Sequence, residues 1–235
     1  MTVSRETLAP VVERHGLPAS VAETLSELLR ALAAEADPPT TLCSDQEVID
    51  GHVADSLAGL EVEEVLGADR LVDIGAGAGF PGLVLAAALP ASSVHLIESS
   101  RKKCAVIERL AAAAGLANAR ALPVRAEEWA AGAGAGAYDA VTARAVAPLA
   151  VLAEYAAPLL GAGGALVAWK GARDPEEEAA GASAAEQLGM RAGRVVSVQP
   201  FASARGRHLH VYAKVGVTPP RFPRRVGVAR KRPLA

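Results

Sequence analysis

Three glycines alternate with small residues directly after a short apolar run that contains a carboxylate. The apolar run is Leu71–Ile74, with Asp73 inside it, and Gly75, Gly77 and Gly79 follow. Glycine has no Cβ, so it lets backbone amides approach a ligand closely and adopts positive φ angles without strain. A strand, a glycine-rich turn and the start of an alanine-rich helix are typical of the first unit of a nucleotide-binding α/β domain.

The spacing of these glycines distinguishes between two kinds of ligand that the loop could bind. A dinucleotide-binding loop has its third glycine beside the pyrophosphate, and this chain has Phe80 at that position. The spacing therefore favours a ligand without phosphates, such as S-adenosylmethionine (SAM), over a nicotinamide dinucleotide. A turn that binds no ligand is the other interpretation of the motif by itself.

Acidic residues follow the next two predicted strands. Glu98 comes directly after Val94–Ile97, where a carboxylate can accept hydrogen bonds from both ribose hydroxyls of either ligand. After the third predicted strand, Glu127 and Glu128 are candidate partners for an adenine amino group. Acidic residues in the first turn of a helix would explain the second pair equally well.

The elements that must position these residues alternate regularly along the chain. Seven strand candidates separated by helices predict a doubly wound, Rossmann-like α/β sheet. The last two strands, Arg194–Val198 and His208–Lys214, have a hairpin-like connection, which makes the last strand antiparallel. This ending is typical of the SAM-dependent methyltransferase variant of the fold, whereas the plain dinucleotide fold keeps its strands parallel.

Helical periodicity precedes the sheet, and a basic segment follows it. Apolar residues recur at helical spacing from Thr7 to Ala36, and a second helical stretch covers Glu47 to Leu66. We therefore divide the chain into an N-terminal helical extension that packs on the core (1–66), a SAM-dependent methyltransferase domain (67–215) and a basic C-terminal tail (216–235).

The methyl acceptor is expected at the ends of strands four and five, where Arg144 and Lys170 lie. No Asn/Asp-Pro-Pro-aromatic turn for an adenine amino group follows strand four, and neither Cys43 nor Cys104 is placed to activate a pyrimidine ring. N7 of guanine has a free lone pair and no proton to lose, so its methylation needs positioning but no general base. Arg144 and Lys170 would then orient the base and its phosphates, or would be ordinary surface cations.

His52 and Asp55 are spaced so that they share one face of a helix. By themselves they are most simply interpreted as a surface pair or a local cap. If the chemistry is N7 methylation, we expect them to shape the substrate entrance and not to act as an acid–base pair.

Several motifs together resemble the RsmG (GidB) family of small-subunit ribosomal RNA methyltransferases. The matching segments are His52-Val-Ala-Asp-Ser-Leu57, Val72-Asp-Ile-Gly-Ala-Gly-Ala-Gly-Phe-Pro-Gly82, Arg125-Ala-Glu127, Arg144-Ala-Val-Ala147, Lys170-Gly171 and Arg221-Phe-Pro-Arg224. The resemblance runs from about His52 to the C-terminus. It departs from the family at Thr41-Leu42-Cys43, where Asn-Leu-Thr is usual, and at Ala229, where proline is common.

This resemblance implies SAM-dependent methylation of guanine N7 in the 530 loop of 16S rRNA, with the small ribosomal subunit as partner. Carried over by position, the cofactor contacts would be Gly75, Phe80, Ala126, Glu127 and Arg144. Arg144 would therefore lie close to both the cofactor and the base, while Lys170, His52 and Asp55 would position the substrate. The residues themselves add Asp73, Gly77, Gly79 and Glu98 to the expected cofactor site.

The charge distribution bears on the RNA partner. The net charge is −2, yet six Arg and Lys fall between Arg221 and Arg232. We expect this tail to contact RNA phosphates, with Phe222 anchoring its start and with no effect on SAM affinity; a solvated, disordered end is the alternative.

The remaining composition favours a monomeric cytoplasmic enzyme without metal or membrane contacts. Cys43 and Cys104 lack metal-ligand spacing, no signal peptide opens the sequence, and no uncharged apolar run would span a bilayer. Two other functions compete. A nicotinamide-dependent oxidoreductase is disfavoured by Phe80 and the final hairpin, and a non-catalytic RNA-binding module is disfavoured by the intact glycine loop with its two acidic positions.

Overall fold

The computed structural model of the protein describes residues 3–42 and 44–234, so Cys43 lies outside the described residues. A seven-stranded sheet with the order β3-β2-β1-β4-β5-β7-β6 forms its centre. The strands are β1 Arg70–Ile74, β2 Ser93–Ile97, β3 Ala119–Leu122, β4 Tyr138–Arg144, β5 Leu160–Lys170, β6 Met190–Val198 and β7 Arg207–Lys214. Strands β1 to β5 pair in parallel, and β7 pairs antiparallel with both β5 and β6. The predicted fold class is confirmed, including the antiparallel last strand.

Helices cover both faces of the sheet. They are α1 Arg5–Arg14, α2 Ala19–Ala34, α3 Asp45–Val48, α4 Asp55–Leu57, α5 Glu63–Leu66, α6 Gly82–Ala88, α7 Arg101–Ala113, α8 Ala126–Ala130, α9 Leu149–Ala156, α10 Pro175–Gln187 and α11 Val228–Lys231. None of the helices formed by the described residues has the length and apolar character that a membrane crossing requires.

The core consists of two apolar layers, one on each side of the sheet. Side chains alternate between the faces of a strand, so Leu71 of β1 belongs to one layer and Val72 to the other. Strands buried on both faces are typically continuous apolar runs, and Ala165–Trp169 of β5 is such a run. Helices α2, α6 and α7 contribute to the first layer, and α9 contributes to the second.

The N-terminal segment shares the first layer with the methyltransferase core. Leu8, Leu25 and Leu32 are fully buried together with residues of α6 and α7. The packing is therefore continuous across residue 66, and the division into three parts stays a prediction about how the chain is organised.

The helical stretch predicted from Glu47 to Leu66 is broken into short pieces. A π-helical segment, Ile49–Ala54, joins α3 to α4, and a 3₁₀ turn, Ala58–Glu61, precedes α5. π-Helical turns widen a helix locally and often occur at functional sites. This turn carries His52 and leads directly into Asp55.

The basic tail packs on the second apolar layer. Phe222 is 8% exposed and Ala229 is 1% exposed, and both belong to the cluster that includes α9. The predicted anchoring role of Phe222 agrees with this burial. The alternative of a wholly solvated tail is wrong for these two residues. Their side chains are buried in the core, and this burial stabilises the segment that contains them.

Candidate active site

The glycine loop after β1 depends on conformations that only glycine adopts easily. Gly75, Gly77 and Gly79 have φ angles of 68°, 59° and 98°. A Cβ added to Gly75 would lie 2.7 Å from Cγ2 of Val146, so this position also lacks room for a side chain. The amide of Gly75 donates to the carbonyl oxygen of Ile97 at 2.8 Å, which holds the loop against the end of β2.

The Asp73 carboxylate holds this loop in place from beneath. Its Oδ2 accepts a hydrogen bond from the amide of Gly82 at 3.0 Å, and its Oδ1 accepts one from Thr142 Oγ1 at 3.0 Å. Burial raises the pKa of Asp73 to about 7, against the opposing effect of these two hydrogen bonds. Asp73 thus ties β1 to the start of α6 and to β4, and its predicted direct contact with the cofactor stays a prediction.

A cavity of about 160 Å³ lies beside the glycine loop, where β1, β2 and β3 end. Its lining residues come from six places in the chain: Ile74, Gly75, Ile97, Glu98, Ser99, Val124, Arg125, Ala126, Glu127, Val146, Tyr155 and Arg230. We call it the cofactor cavity. The structure thus brings together Gly75, Glu98, Ala126 and Glu127, as the sequence predicts for the nucleoside end of SAM.

Both carboxylates of this cavity are held by backbone amides. Glu98 Oε2 accepts from the amide of Gly77 at 3.2 Å, and Oε1 accepts from the amide of Ser100 at 2.8 Å. Glu127 Oε1 accepts from the amide of Gly227 at 2.9 Å. A carboxylate oriented in this way can accept further hydrogen bonds from ribose hydroxyls or an adenine amino group without first being ordered.

These residues fit SAM better than a dinucleotide. The Gly77 amide, which belongs to the loop that would face a pyrophosphate, already donates to Glu98. Glu98 can serve the ribose of either ligand, but it occupies the Gly77 amide, which is then not free to bind a phosphate. The apolar side chains of Ile97 and Val124 line the same cavity and suit the faces of an adenine ring.

A second cavity, of about 380 Å³, lies at the ends of β4 and β5 and shares Val146 with the cofactor cavity. Its lining residues are Asp55, Arg144, Ala145, Val146, Ala147, Leu152, Trp169, Lys170, Gly171, Val198, Arg207 and His208. We call it the base cavity. Arg144 and Lys170, which the sequence places at the acceptor, both line it, and Arg144 does not line the cofactor cavity.

A buried ion pair joins the base cavity to the N-terminal segment. Arg144 Nη1 donates to Asp55 Oδ2 at 2.8 Å and to the carbonyl oxygen of Gly51 at 2.7 Å. The next residue, Ala145, has a φ of 56° and is the only non-glycine residue with positive φ in residues 3–42 and 44–234. Such strain persists only where surrounding contacts enforce it, and it is common at functional sites.

His52 lies under the glycine loop and not on the surface. Its ring stacks on Phe80 with 4.1 Å between ring centroids, and Nε2 lies 2.8 Å from Thr40 Oγ1. Nδ1 is buried and has no hydrogen-bond partner among the described residues. Burial, and then the charge of Arg144, lower the pKa of His52 to about 4, so the ring is neutral near pH 7. The surface-pair interpretation of His52 and Asp55 is therefore wrong, because both side chains are buried against the sheet.

Contacts with sequence-distant groups fix the remaining side chains of the base cavity. Lys170 Nζ donates to the carbonyl oxygen of Ala147 at 3.1 Å and pairs with Glu177 of α10. Trp169 Nε1 donates to the carbonyl oxygen of Asp55 at 2.8 Å, which holds α4 against β5. The sequence analysis missed Trp169 and Glu177, and their only available signal was the position of Trp169 next to Lys170 at the end of a strand.

The sheet order, the antiparallel β7 and the carboxylates after β2 and β3 define the class of SAM-dependent methyltransferases with a Rossmann-like fold. Solved structures share this fold. A SAM-dependent methyltransferase from Aquifex aeolicus superposes with a TM-score of 0.53 at 21% identity, over 72% of this chain and 93% of that one. The cofactor-bound protein Rv0187 from MTB superposes with a TM-score of 0.54 at 21% identity, over 83% of this chain and 91% of that one.

Sequence comparison narrows the class to one family. The family model described as rRNA small subunit methyltransferase G (GidB) matches residues 35–209. The ribosomal RNA small subunit methyltransferase G of Pelotomaculum thermopropionicum is 40% identical over 203 residues, covering 83% of this chain and 82% of its own. The protein of the same name from Deinococcus radiodurans is 41% identical over 199 residues, covering 83% of this chain and 78% of its own.

This chain therefore belongs to the rRNA small subunit methyltransferase G family, as its motifs predict, and its cofactor is SAM. The residues of the cofactor cavity and of the glycine loop fit SAM.

Proposed function

We propose that this protein transfers the methyl group of SAM to N7 of a guanine in the 530 loop of 16S rRNA, acting in the cytoplasm on the small ribosomal subunit or its precursor. Membership of the family supports the methyltransferase activity and the rRNA substrate class. The observation that carries the site assignment is the base cavity, which shares Val146 with the cofactor cavity and so brings an acceptor next to the cofactor.

The base cavity suits a purine extruded from an RNA strand. Its volume of about 380 Å³ exceeds that of the cofactor cavity, and Trp169, Val198 and Leu152 contribute apolar walls. Enzymes that modify a base inside structured nucleic acid take it out of its stack and hold it between such walls. Arg144 and Lys170 stand at the same cavity, where cations can hold the base carbonyl or the neighbouring phosphates.

The side chains around this cavity favour a reaction without proton abstraction. His52 is neutral with a pKa near 4 and is enclosed by Phe80 and Thr40. Asp55 is paired with Arg144, and Lys170 is paired with Glu177. SAM, when bound, supplies a methyl group made electrophilic by the adjacent sulfonium. Guanine N7 can attack it through a free lone pair, so this chain's residues need only bind, orient and exclude water.

Glu98, Glu127 and the main chain of Gly75 and Ala126 would hold the nucleoside end of the cofactor. All four line the cofactor cavity, and backbone amides orient the two carboxylates. Arg144 would stand on the acceptor side, held there by Asp55. Its predicted contact with the cofactor would require its guanidinium to reach past Val146.

Exposed cations of the tail and of β7 supply the surface for RNA phosphates. Arg221, Arg225 and Arg207 are exposed, and Arg207 also lines the base cavity. Phosphate contacts of this kind position an RNA without reading its sequence. The guanine itself would then be selected inside the cavity.

The test is transfer of a labelled methyl group to small subunits, naked 16S rRNA and tRNA, followed by identification of the modified nucleotide. We expect 7-methylguanosine in 16S rRNA and no label in tRNA. Lys170→Ala should lower transfer without lowering SAM affinity, with Lys102→Ala, an exposed lysine outside both cavities, as the matched control. Label on an exocyclic nitrogen or on tRNA would contradict the proposal, as would saturable RNA binding without any transfer.

A further inference from the structure

The last part of the chain crosses from α9 to the cofactor cavity and is tied down at both ends. Arg224 Nε donates to Glu154 Oε1 at 2.6 Å, and Glu154 is only 2% exposed. The same guanidinium donates to the carbonyl oxygen of Arg232 at 2.9 Å, which closes the segment into a loop. We call residues 222–232 the C-terminal strap.

The middle of the strap touches the cofactor cavity at two points. The amide of Gly227, at a φ of 78°, donates to Glu127 Oε1 at 2.9 Å. Arg230 Nη2 donates to the carbonyl oxygen of Val146 at 2.7 Å, and Arg230 lines the cavity together with Tyr155. Val146 is the residue common to both cavities, so the strap holds the wall between them.

We propose that the C-terminal strap is a structural part of the SAM site, with Gly227 orienting the Glu127 carboxylate and Arg230 acting as a positioning residue for the cavity wall. One oxygen of Glu127 is taken by the strap amide, which leaves Oε2 for a donor such as the adenine amino group. The strap and the cofactor therefore bind the same carboxylate from two sides. The sequence-based expectation that the tail serves RNA alone is revised accordingly.

The strap and the cofactor must then stabilise each other. A carboxylate already held in one orientation loses less conformational entropy when a ligand binds, so an intact strap raises affinity. Linkage makes the effect reciprocal, so a bound ligand must hold the strap closed by the same free energy. Trypsin can report this, because the strap contains Arg224, Arg225 and Arg230.

The first measurement is the affinity of the full-length protein for S-adenosylhomocysteine by calorimetry. Arg230→Ala should weaken binding about tenfold, and Arg230→Lys, which keeps one donor for the Val146 carbonyl, should recover most of the loss. Arg221→Ala removes an arginine just outside the strap and should bind as the wild type does, because Arg221 is exposed and lines neither cavity.

The second measurement is the rate of tryptic cleavage within the strap. Saturating S-adenosylhomocysteine should slow cleavage severalfold in the wild type and much less in Arg230→Ala. Unchanged affinity of Arg230→Ala together with equal cleavage rates with and without ligand would overturn the inference. The inference rests on the proposed function only for the identity of the cofactor. A protein that binds S-adenosylhomocysteine through its strap but modifies another nucleotide would refute the proposed reaction and leave this inference standing.

Discussion

The two cavities that meet at Val146 are built in different ways. Most residues of the cofactor cavity follow the ends of β1, β2 and β3, between Ile74 and Glu127. Val146, Tyr155 and Arg230 are the exceptions. The base cavity is built from residues of α4, β4, α9, β5, β6 and β7 and of the turn after β4, and an ion pair joins two of them, Asp55 and Arg144. In the proposed assignment, SAM would therefore be held mainly by residues close together in the sequence, whereas the acceptor would be held by side chains that long-range contacts bring together.

This contrast has consequences for mutation. Changes in the cofactor cavity should act through backbone geometry and ligand affinity. Changes in the base cavity should act through transfer rate and through the stability of the contact between the N-terminal segment and the sheet.

The largest effect should follow Gly75→Ala. The new Cβ would meet Val146 at 2.7 Å on a residue whose φ is 68°, so strain and crowding add. Together these should lower S-adenosylhomocysteine affinity on the order of 1,000-fold. Gly115→Ala is a matched control. Gly115 also has a φ of 68°, but a Cβ added there would have no atom within 4 Å. Equal loss of affinity in both variants would show that the cavity does not depend on close approach at Gly75.

Arg144→Ala should act next most strongly, and on the base cavity. It would leave Asp55 buried without its partner, which we expect to lower the free energy of unfolding by about 3 kcal/mol. Methyl transfer should fall roughly 100-fold, because Arg144 also lines the base cavity, where we propose that the acceptor binds. Urea unfolding and single-turnover transfer measure the two effects separately. Arg5→Ala, which breaks an exposed pair with Glu23, should change neither.

Glu98→Ala should lower the affinity for the cofactor and leave the base cavity unchanged. Loss of a charge-assisted hydrogen bond should cost about 1.5–3 kcal/mol of S-adenosylhomocysteine binding. Calorimetry measures that loss, and the rate of transfer at saturating cofactor should change much less. A variant with normal affinity and slow transfer would place Glu98 on the acceptor side and break the distinction between the two cavities.

The pH dependence of the free energy of unfolding should reflect the protonation of the buried His52. Its pKa is about 4 in the folded protein and near 6.5 when unfolded, so the unfolded chain binds more protons between these values. The contribution of His52 to stability is complete above pH 6.5 and declines as the pH falls toward 4. Between pH 7 and 5.5 the wild type should lose about 1 kcal/mol relative to His52→Asn.

Asp73 acts in the opposite sense, because its folded pKa is raised to about 7, and its effect cancels when the wild type and His52→Asn are compared. Urea titrations of both proteins across this range provide the measurement. A difference in stability that does not vary with pH would mean that His52 is accessible to protons in the folded state.

The smallest effect should follow the double substitution Arg221→Ala and Arg225→Ala. These exposed residues should each neutralise a phosphate, so the slope of log rRNA affinity against log salt should flatten by about 0.7–0.9 for each. Point substitutions are needed here, because deleting the tail would also remove the hydrogen bond that the Gly227 amide donates to Glu127. S-adenosylhomocysteine affinity should stay unchanged, because both side chains are exposed and line neither cavity. An unchanged salt slope would move the RNA surface to the loop before β7.

The sequence alone was sufficient for the fold and for much of the cofactor cavity. Apolar runs that alternate with helical periodicity predict the doubly wound seven-stranded sheet, because both patterns reflect which faces are buried. The hairpin-like connection between the last two strands predicts the antiparallel last strand, whereas the order of the strands was given only by the structure. Gly75, Glu98 and Glu127 were found because a nucleoside site needs these residue types at the ends of consecutive parallel strands, which meet at one edge of the sheet.

The tertiary structure alone decided which side chains face each other across long stretches of chain. Arg144 pairs with Asp55, the ring of His52 stacks on Phe80, and Gly227 bonds to Glu127. No local pattern encodes such contacts, because they arise where elements distant in the sequence pack against each other. A surface pair on an ordinary helix and a tail that binds only RNA were reasonable interpretations of the sequence. Packing changed both, since burial brings polar groups far apart in the chain within hydrogen-bonding distance and makes leaving them unpaired costly.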